Sequence, residues 1–252
     1  MAPTDAFAEA DWQAHRPAVF GAAYRILGSV AEAEDVVQEV WLRAAAADLS
    51  EVRDLRAWLV TLAARGAYNV LKSARVRRES YVGPWLPEPL LTGPDAAAQV
   101  LMDESVSTAM LVVMETLSPA ERVALVLHDR ASRADTERLL KAFKAAADAG
   151  NLAELVELLH PEAVYVADGG GKVTAARRPV HGAAPIALLA VRQIEIRRPD
   201  AFQIIEVNGQ PALATYRGGQ LVWLDTLEIV DGRITTWRRL ANPEKFAHIG
   251  HT

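Results

Sequence analysis

Between residues 201 and 240, apolar runs alternate with the dipeptides Asn208-Gly209, Gly218-Gly219 and Asp231-Gly232. Each is a tight-hairpin dipeptide, because the turn needs positive φ and glycine adopts it without a Cβ clash. The stretch "AFQIIEVNGQPALATYRGGQLVWLDTLEIVDGRITTWRRL" is therefore expected to form four sequential antiparallel strands. Just before it, "EAVYVADGGGKVTAARRPVHG" predicts a strand, a glycine turn and a second strand, and "APIALLAVRQIEI" a short helix. "ADTERLLKAFKAAADAG" and "NLAELVELLHP" predict a helix pair, closed by Gly150 and Pro161. A helical layer on a curved antiparallel sheet buries both apolar faces at once.

Before about residue 130 the periodicity is helical. "RPAVFGAAYRILG" places Val19, Phe20, Ala23, Ile26 and Leu27 on one face, and Gly28 ends the helix. Ser29 then caps "VAEAEDVVQEVWLRAAAA", with Val36, Val37, Val40 and Trp41 on one side and acids gathered toward the start. "DLRAWLVTLAARGAYNVLKSARVRRE" predicts a third long helix, apolar at first and basic at its end. "SYVGPWLPEPLLTGPD" holds too many prolines for a helix and reads as an ordered linker. "DESVSTAMLVVMETL" and "SPAERVALVLHD" predict two more helices. The latter opens with a Ser118 N-cap, Pro119 at the first helical position and Glu121 completing a capping box. Its apolar face stops at His128, and by Asp135 the next helix has begun.

Composition excludes several chemistries. The 252 residues include no cysteine, so there is no disulfide, thiolate metal site or cysteine nucleophile. The six histidines are never paired at metal-ligand spacing, so no metal is expected. "MAPTDAFAEADW" is acidic and has no apolar run, and no segment approaches the roughly 20 apolar residues of a membrane span. A cytoplasmic protein without membrane contact is expected. The net charge of −5 argues against general coating of nucleic acid. "DGGGK" lacks the full P-loop pattern, and neither a nucleophile elbow nor a dinucleotide fingerprint occurs, so no cofactor is expected.

A family resemblance rests on particular residues. "AYRILGSVAEAEDVVQEVWLRA" and "RAWLVTLAARGAYNVLKSARVRRE" resemble region 2 of extracytoplasmic-function sigma factors, and "SPAERVALVLHD" the start of their region 4. "WLPEP", "DGGGK" and "NPEK" resemble the three signature motifs of those sigma factors that carry a SnoaL-like C-terminal extension. The resemblance implies a multidomain chain, with an all-α sigma-like N-terminal half and an α+β SnoaL-like domain built on a cone-shaped curved sheet. The expected divisions are 1–80 for region 2, 81–102 for the linker, 103–132 for truncated region 4-like helices and 133–252 for the SnoaL-like domain. One departure stands out. After His128-Asp129 the chain passes directly to "RASRADTERLL", so roughly 40–50 residues are missing where the family carries its helix-turn-helix. No recognition helix remains to enter a major groove and read base edges.

Candidate site residues follow from pattern and resemblance together. In "QLVWLDTLEIV" alternation puts Leu221, Trp223, Asp225, Leu227 and Ile229 on one face, so Asp225 stands in an apolar row. A carboxylate there must be paired or used, and burial would move it toward acid–base range. Thr235, Trp237 and Arg239 share a face of the next strand, placing Arg239 to pair with Asp225. The resemblance to SnoaL-type cyclases adds His181 as a third catalytic candidate, while Arg239 occupies the place of a catalytic aspartate in limonene-epoxide-hydrolase-type sheets. Trp223, Trp237, Tyr165, Tyr216, Asp168 and Lys172 are candidate pocket residues. Trp85, Pro87, Glu88, Asn242 and Lys245, from "WLPEP" and "NPEK", are candidate interdomain residues. Lys72, Arg75, Arg77 and Arg78 form a basic helix end suited to phosphates. The alternative for that run is ordinary C-terminal helix charge. Asn69 and Val70 replace the aspartate and arginine usual in the family, and sequence-specific DNA binding is not expected. The acidic helix "AEAEDVVQEV" resembles the surface that docks on core RNA polymerase.

Two functions are compatible with this reading. The favoured one is a sigma-factor-like protein without promoter reading that works as a cofactor-independent enzyme, a cyclase, isomerase or epoxide-opening catalyst acting on a polyketide-like molecule, with Asp225 as acid/base. The other is a transcription-initiation sigma factor or polymerase-binding regulator whose SnoaL-like domain senses a ligand.

Overall fold

The computed structural model describes residues 9–50, 52–92, 132–246 and 249. The chain forms two compact units. The described part of the first ends at Ser80, and that of the second comprises 81–92, 132–246 and 249. The candidate helices within 103–131 lie outside the described residues.

The first unit is three helices packed on one another: α1 (Glu9–Leu27), α2 (Val30–Ala46) and α3 (Leu55–Glu79). Gly28, at φ +63°, stops α1, and its N–H closes on the Tyr24 carbonyl at 2.7 Å. This is the left-handed C-terminal stop that glycine makes cheaply. The Ser29 hydroxyl accepts from the Glu32 N–H and caps α2. α1 begins well before the "RPAVF" signal and carries Pro17 inside it. The extra turns bury Trp12, whose ring lies 5.2 Å from that of Trp41. Val19, Ala23 and Leu27 of α1, Val36 and Val40 of α2, and Leu59 and Ala63 of α3 are all buried.

The second unit is α+β. It contains α4 (Arg133–Asp148), α5 (Leu152–Leu158), β1 (Leu159–Asp168), β2 (Val180–His181), α6 (Ala183–Arg197), β3 (Ala201–Val207), β4 (Gln210–Arg217), β5 (Gln220–Val230) and β6 (Arg233–Leu240). The strand order is β2-β1-β6-β5-β4-β3. Only the β1–β6 pair is parallel. The expected hairpins close at Asn208-Gly209, Gly218-Gly219 and Asp231-Gly232, and all six residues take positive φ.

α5 is shorter than expected, because Leu159 and His160 already belong to β1. The position before Pro161 is pushed out of helical φ/ψ, which favours this early switch. A second difference is a bulge between Thr215 and Tyr216, where Thr215 pairs with Trp223 but Tyr216 with Leu221. The extra residue on β5 breaks the alternation. Leu221 therefore packs with Tyr216 and Leu224, away from the row of Leu227 and Ile229.

Each sheet face is covered differently. α4, α5 and α6 cover one, burying Leu139, Phe143, Leu155 and Ile186 against Tyr165 and Trp237. Residues 81–92 cross the other as a strap. Leu86 is buried there among Val207, Tyr216, Leu240 and Phe246. The strap is pinned at its far end by Asn208 N–H to the Leu90 carbonyl (2.9 Å) and Gly209 N–H to the Thr92 hydroxyl (2.8 Å). A 3₁₀ turn, Pro243–Phe246, closes the same face. No described helix is long and apolar enough to cross a membrane.

Candidate functional site

Two constellations stand out in the second unit. The first joins the three sequence motifs at Asp168. This carboxylate ends β1 and is completely buried. Its Oδ2 accepts from the Lys245 ammonium at 2.7 Å and from the Leu86 N–H at 2.8 Å. Its Oδ1 accepts from the Tyr81 hydroxyl at 2.6 Å and the Gly170 N–H at 3.0 Å. Four donors thus compensate a charge that would be very costly alone. Lys245 also donates to the Leu86 carbonyl, and its ammonium sits 4.2 Å from the centre of the Trp85 ring. Asn242 donates to the Tyr81 oxygen at 2.8 Å. Burial, and then the hydrogen bond to Asp168, push the Tyr81 hydroxyl above its ordinary range. Gly170 takes φ +56°, and a Cβ there would stand 2.3 Å from Asn242 Nδ2. That close approach explains why the loop needs glycine. Lys172 lies outside the knot, half-exposed, and pairs with Glu244 at 2.8 Å. Pro87 is buried along the strap and Glu88 half-buried.

The second constellation is a cavity of about 220 Å³ between the end of α6 and the sheet. The paired residues Asp225 and Arg239 face each other across β5 and β6. Arg239 Nε and Nη2 each donate to Asp225 at 2.8 Å, and the Trp237 indole N–H donates to Oδ1 at the same distance. The Arg239 guanidinium also lies against two indoles, with ring centres of Trp223 and Trp237 at 4.3 and 4.7 Å. Burial alone would lower its pKa, but Asp225 and Tyr165 more than offset this and raise it. Arg239 Nη1, on the edge away from Asp225, is buried without a hydrogen-bond partner.

Trp223, Tyr165 and Arg239 line the cavity, together with Gln193, Arg197 and Arg217. Burial pushes the Tyr165 hydroxyl up to about 12, with Arg239 pulling the other way and Asp225 adding to the rise. No aspartate, glutamate or histidine is among the lining residues.

The structure therefore brings together Asp225, Arg239, Trp223, Trp237 and Tyr165. It does not bring in His181, which is exposed on β2, opposite Val164 and beyond β1 and β6 from Asp225. Tyr216 packs on the strap-covered face instead. Asp168 belongs to the motif knot with Trp85, Asn242 and Lys245. Lys72, Arg75, Arg77 and Arg78 fall on the last turns of α3, and their side chains lie outside the described residues. Sequence reasoning missed Tyr81, Arg197 and Arg217. A tyrosine four residues before Trp85 was the available signal for the first, whereas Arg197 and Arg217 look like ordinary element-end cations.

A Sigma-70 region 2 family model matches residues 12–77. Over 94% of its length the chain is 33% identical to ECF RNA polymerase sigma factor SigJ of Mycobacterium tuberculosis, covering 92% of that protein. It is 37% identical to the probable ECF RNA polymerase sigma factor SigI of the same organism, over 48% of this chain and 42% of that one. The crystal structure of SigJ superposes with a TM-score of 0.73 at 31% identity, covering 94% of this chain and 97% of the other. The SigJ alignment runs over 289 positions, so about 50 of them have no residue here, the size of a helix-turn-helix with a flanking helix.

Proposed function

The chain belongs to the extracytoplasmic-function RNA polymerase sigma factors, and from that premise we propose that it is a polymerase-binding regulator whose SnoaL-like domain is a small-molecule receptor. Region 2 supplies the polymerase contact, through the acidic face of α2. Promoter choice is not its own task, because about 50 positions present in its relative are absent. The protein works in the cytoplasm, where polymerase is.

One observation favours a receptor over an acid–base catalyst. Both oxygens of Asp225 are already engaged, by Arg239 and by the Trp237 indole. A general base needs a lone pair within reach of the substrate proton, and Asp225 is not among the residues that line the cavity. Asp225 has the hydrogen bonding of a positioning group that holds Arg239 in place. The enzyme reading, a cyclase, isomerase or epoxide-opening activity, rests on the Tyr165 hydroxyl and Arg239 beside the same cavity. It lacks a base at the cavity wall to move a proton.

The test is copurification of the full chain with core RNA polymerase. A one-to-one complex on size exclusion is the expected result. Failure to form one at micromolar concentrations of both partners contradicts the proposal.

A further inference from the structure

We infer that the cavity beside Arg239 binds a small carboxylic acid with an apolar body. The inference rests on the receptor reading and specifies its ligand.

Charge carries the first part. The lining residues include Arg197, Arg217 and Arg239 and no carboxylate. Arg239 is neutralised by Asp225, but among the described residues neither Arg197 nor Arg217 has an acidic partner within ion-pair distance. Arg197 donates to the Thr174 carbonyl at 2.7 Å, and Arg217 reaches only the Arg197 carbonyl at 3.4 Å. Two positive charges therefore converge on one cavity in a chain whose net charge is −5. Like charges gathered beside low-dielectric walls focus a field that attracts an anion.

Arg239 supplies an independent observation. It is 6% exposed, yet its Nη1 has no hydrogen-bond partner. A buried donor left unmade is costly, and a ligand oxygen would satisfy it. Asp225 holds the other edge of the guanidinium in two hydrogen bonds and the indoles hold its faces, so Nη1 is fixed in advance. A guanidinium so held is suited to a planar carboxylate.

The walls carry the second part. Trp223, Tyr165, Leu221, Val222 and Phe246 present apolar surface to the same space. At about 220 Å³ the cavity is smaller than sites for drug-sized ligands, which run from roughly 300 Å³ upward. An acid of benzoate or phenylacetate size fits these constraints. Inorganic phosphate would meet the charges and leave the apolar walls uncovered.

The experiment uses the full chain, ¹⁵N-labelled, titrated separately with benzoate, phenylacetate, their neutral amides and inorganic phosphate. The expected result is saturable shifts of the Trp223 indole with the acids. The amides and phosphate should bind at least about tenfold more weakly, since one charge-assisted contact is worth about that much. Arg197→Gln and Arg217→Gln, on partly exposed side chains, should each weaken acid binding about fivefold and leave the amides unaffected. Amides binding as tightly as the acids would overturn the carboxylate inference and leave the receptor reading standing. Phosphate binding as tightly as the acids would also overturn it, by removing the role of the apolar body. Absence of binding by every organic probe would overturn both.

Discussion

Arg239 and Asp225 meet across neighbouring strands through two parallel hydrogen bonds of 2.8 Å, enclosed by Trp223 and Trp237. Both side chains are almost fully buried. Breaking such a pair from one side leaves an uncompensated charge inside the protein. Asp225→Asn should therefore cost about 3 kcal/mol or more in chemical denaturation. The double variant Asp225→Leu/Arg239→Met removes both charges and should cost clearly less than the sum of the single changes. Additive losses would show that the two residues do not act as a pair.

The knot at Asp168 makes a parallel prediction with a different readout. Lys245→Met leaves Asp168 buried without its cation, and Asp168→Asn leaves Lys245 in the same position. Each should destabilise by about 3 kcal/mol, with strong coupling in a double-mutant cycle. Because Asp168 also holds the Leu86 N–H and Tyr81, limited proteolysis should speed up within residues 81–92. A strap that stays protected in both variants would mean the knot does not hold it.

Glycine replacement separates crowding from backbone strain. At Gly218 a Cβ would meet nothing within 4 Å, so Gly218→Ala bears only the left-handed φ of +59°. About 1 kcal/mol is expected. Gly170→Ala adds a collision with Asn242 Nδ2 at 2.3 Å and should cost about 2 kcal/mol more. Equal midpoints in urea would refute the close packing of the "DGGGK" loop on Asn242.

Alkaline pH should destabilise the second unit through its tyrosines. Burial raises Tyr165 to about 12, and Tyr81 is raised as well. Unfolded tyrosine ionises near 10. Above that pH the unfolded state releases protons that the folded state keeps, so stability is complete below about 10 and falls as pH rises toward 12. Tyr165→Phe should make the stability–pH curve shallower in this window than in the parent. Identical slopes would argue that Tyr165 is not buried as described.

Local chemistry made much of this architecture readable. The hairpin dipeptides sit where glycine and asparagine must supply positive φ, and Gly28 and Ser29 mark the α1–α2 junction through their own backbone and hydroxyl. Period-2 alternation was sufficient to pair Asp225 with Arg239, because the β5–β6 register is regular there. It failed at Leu221, where the bulge opposite Thr215 and Tyr216 is a property of two strands rather than one. The strap was equally out of reach, since Leu90 and Thr92 bond to Asn208 and Gly209 more than a hundred residues away. Arg197 and Arg217 gain their meaning only when α6 and β4 end at the same cavity. His181 looked like a partner for Asp225 because sequence does not reveal that β2 is an edge strand two positions removed from β6.

Asp225 holds Arg239 as a fixed binding group beside the cavity. The Arg239 Nε–H and Trp237 indole N–H signals of ¹⁵N-labelled protein report on it directly, because both hydrogens point at Asp225. Two slowly exchanging signals are expected at neutral pH, both lost in Asp225→Asn, with the Arg239 signal moving when benzoate is added and staying still with benzamide. An Arg239 Nε–H in rapid exchange with water, or one indifferent to Asp225→Asn, would contradict it.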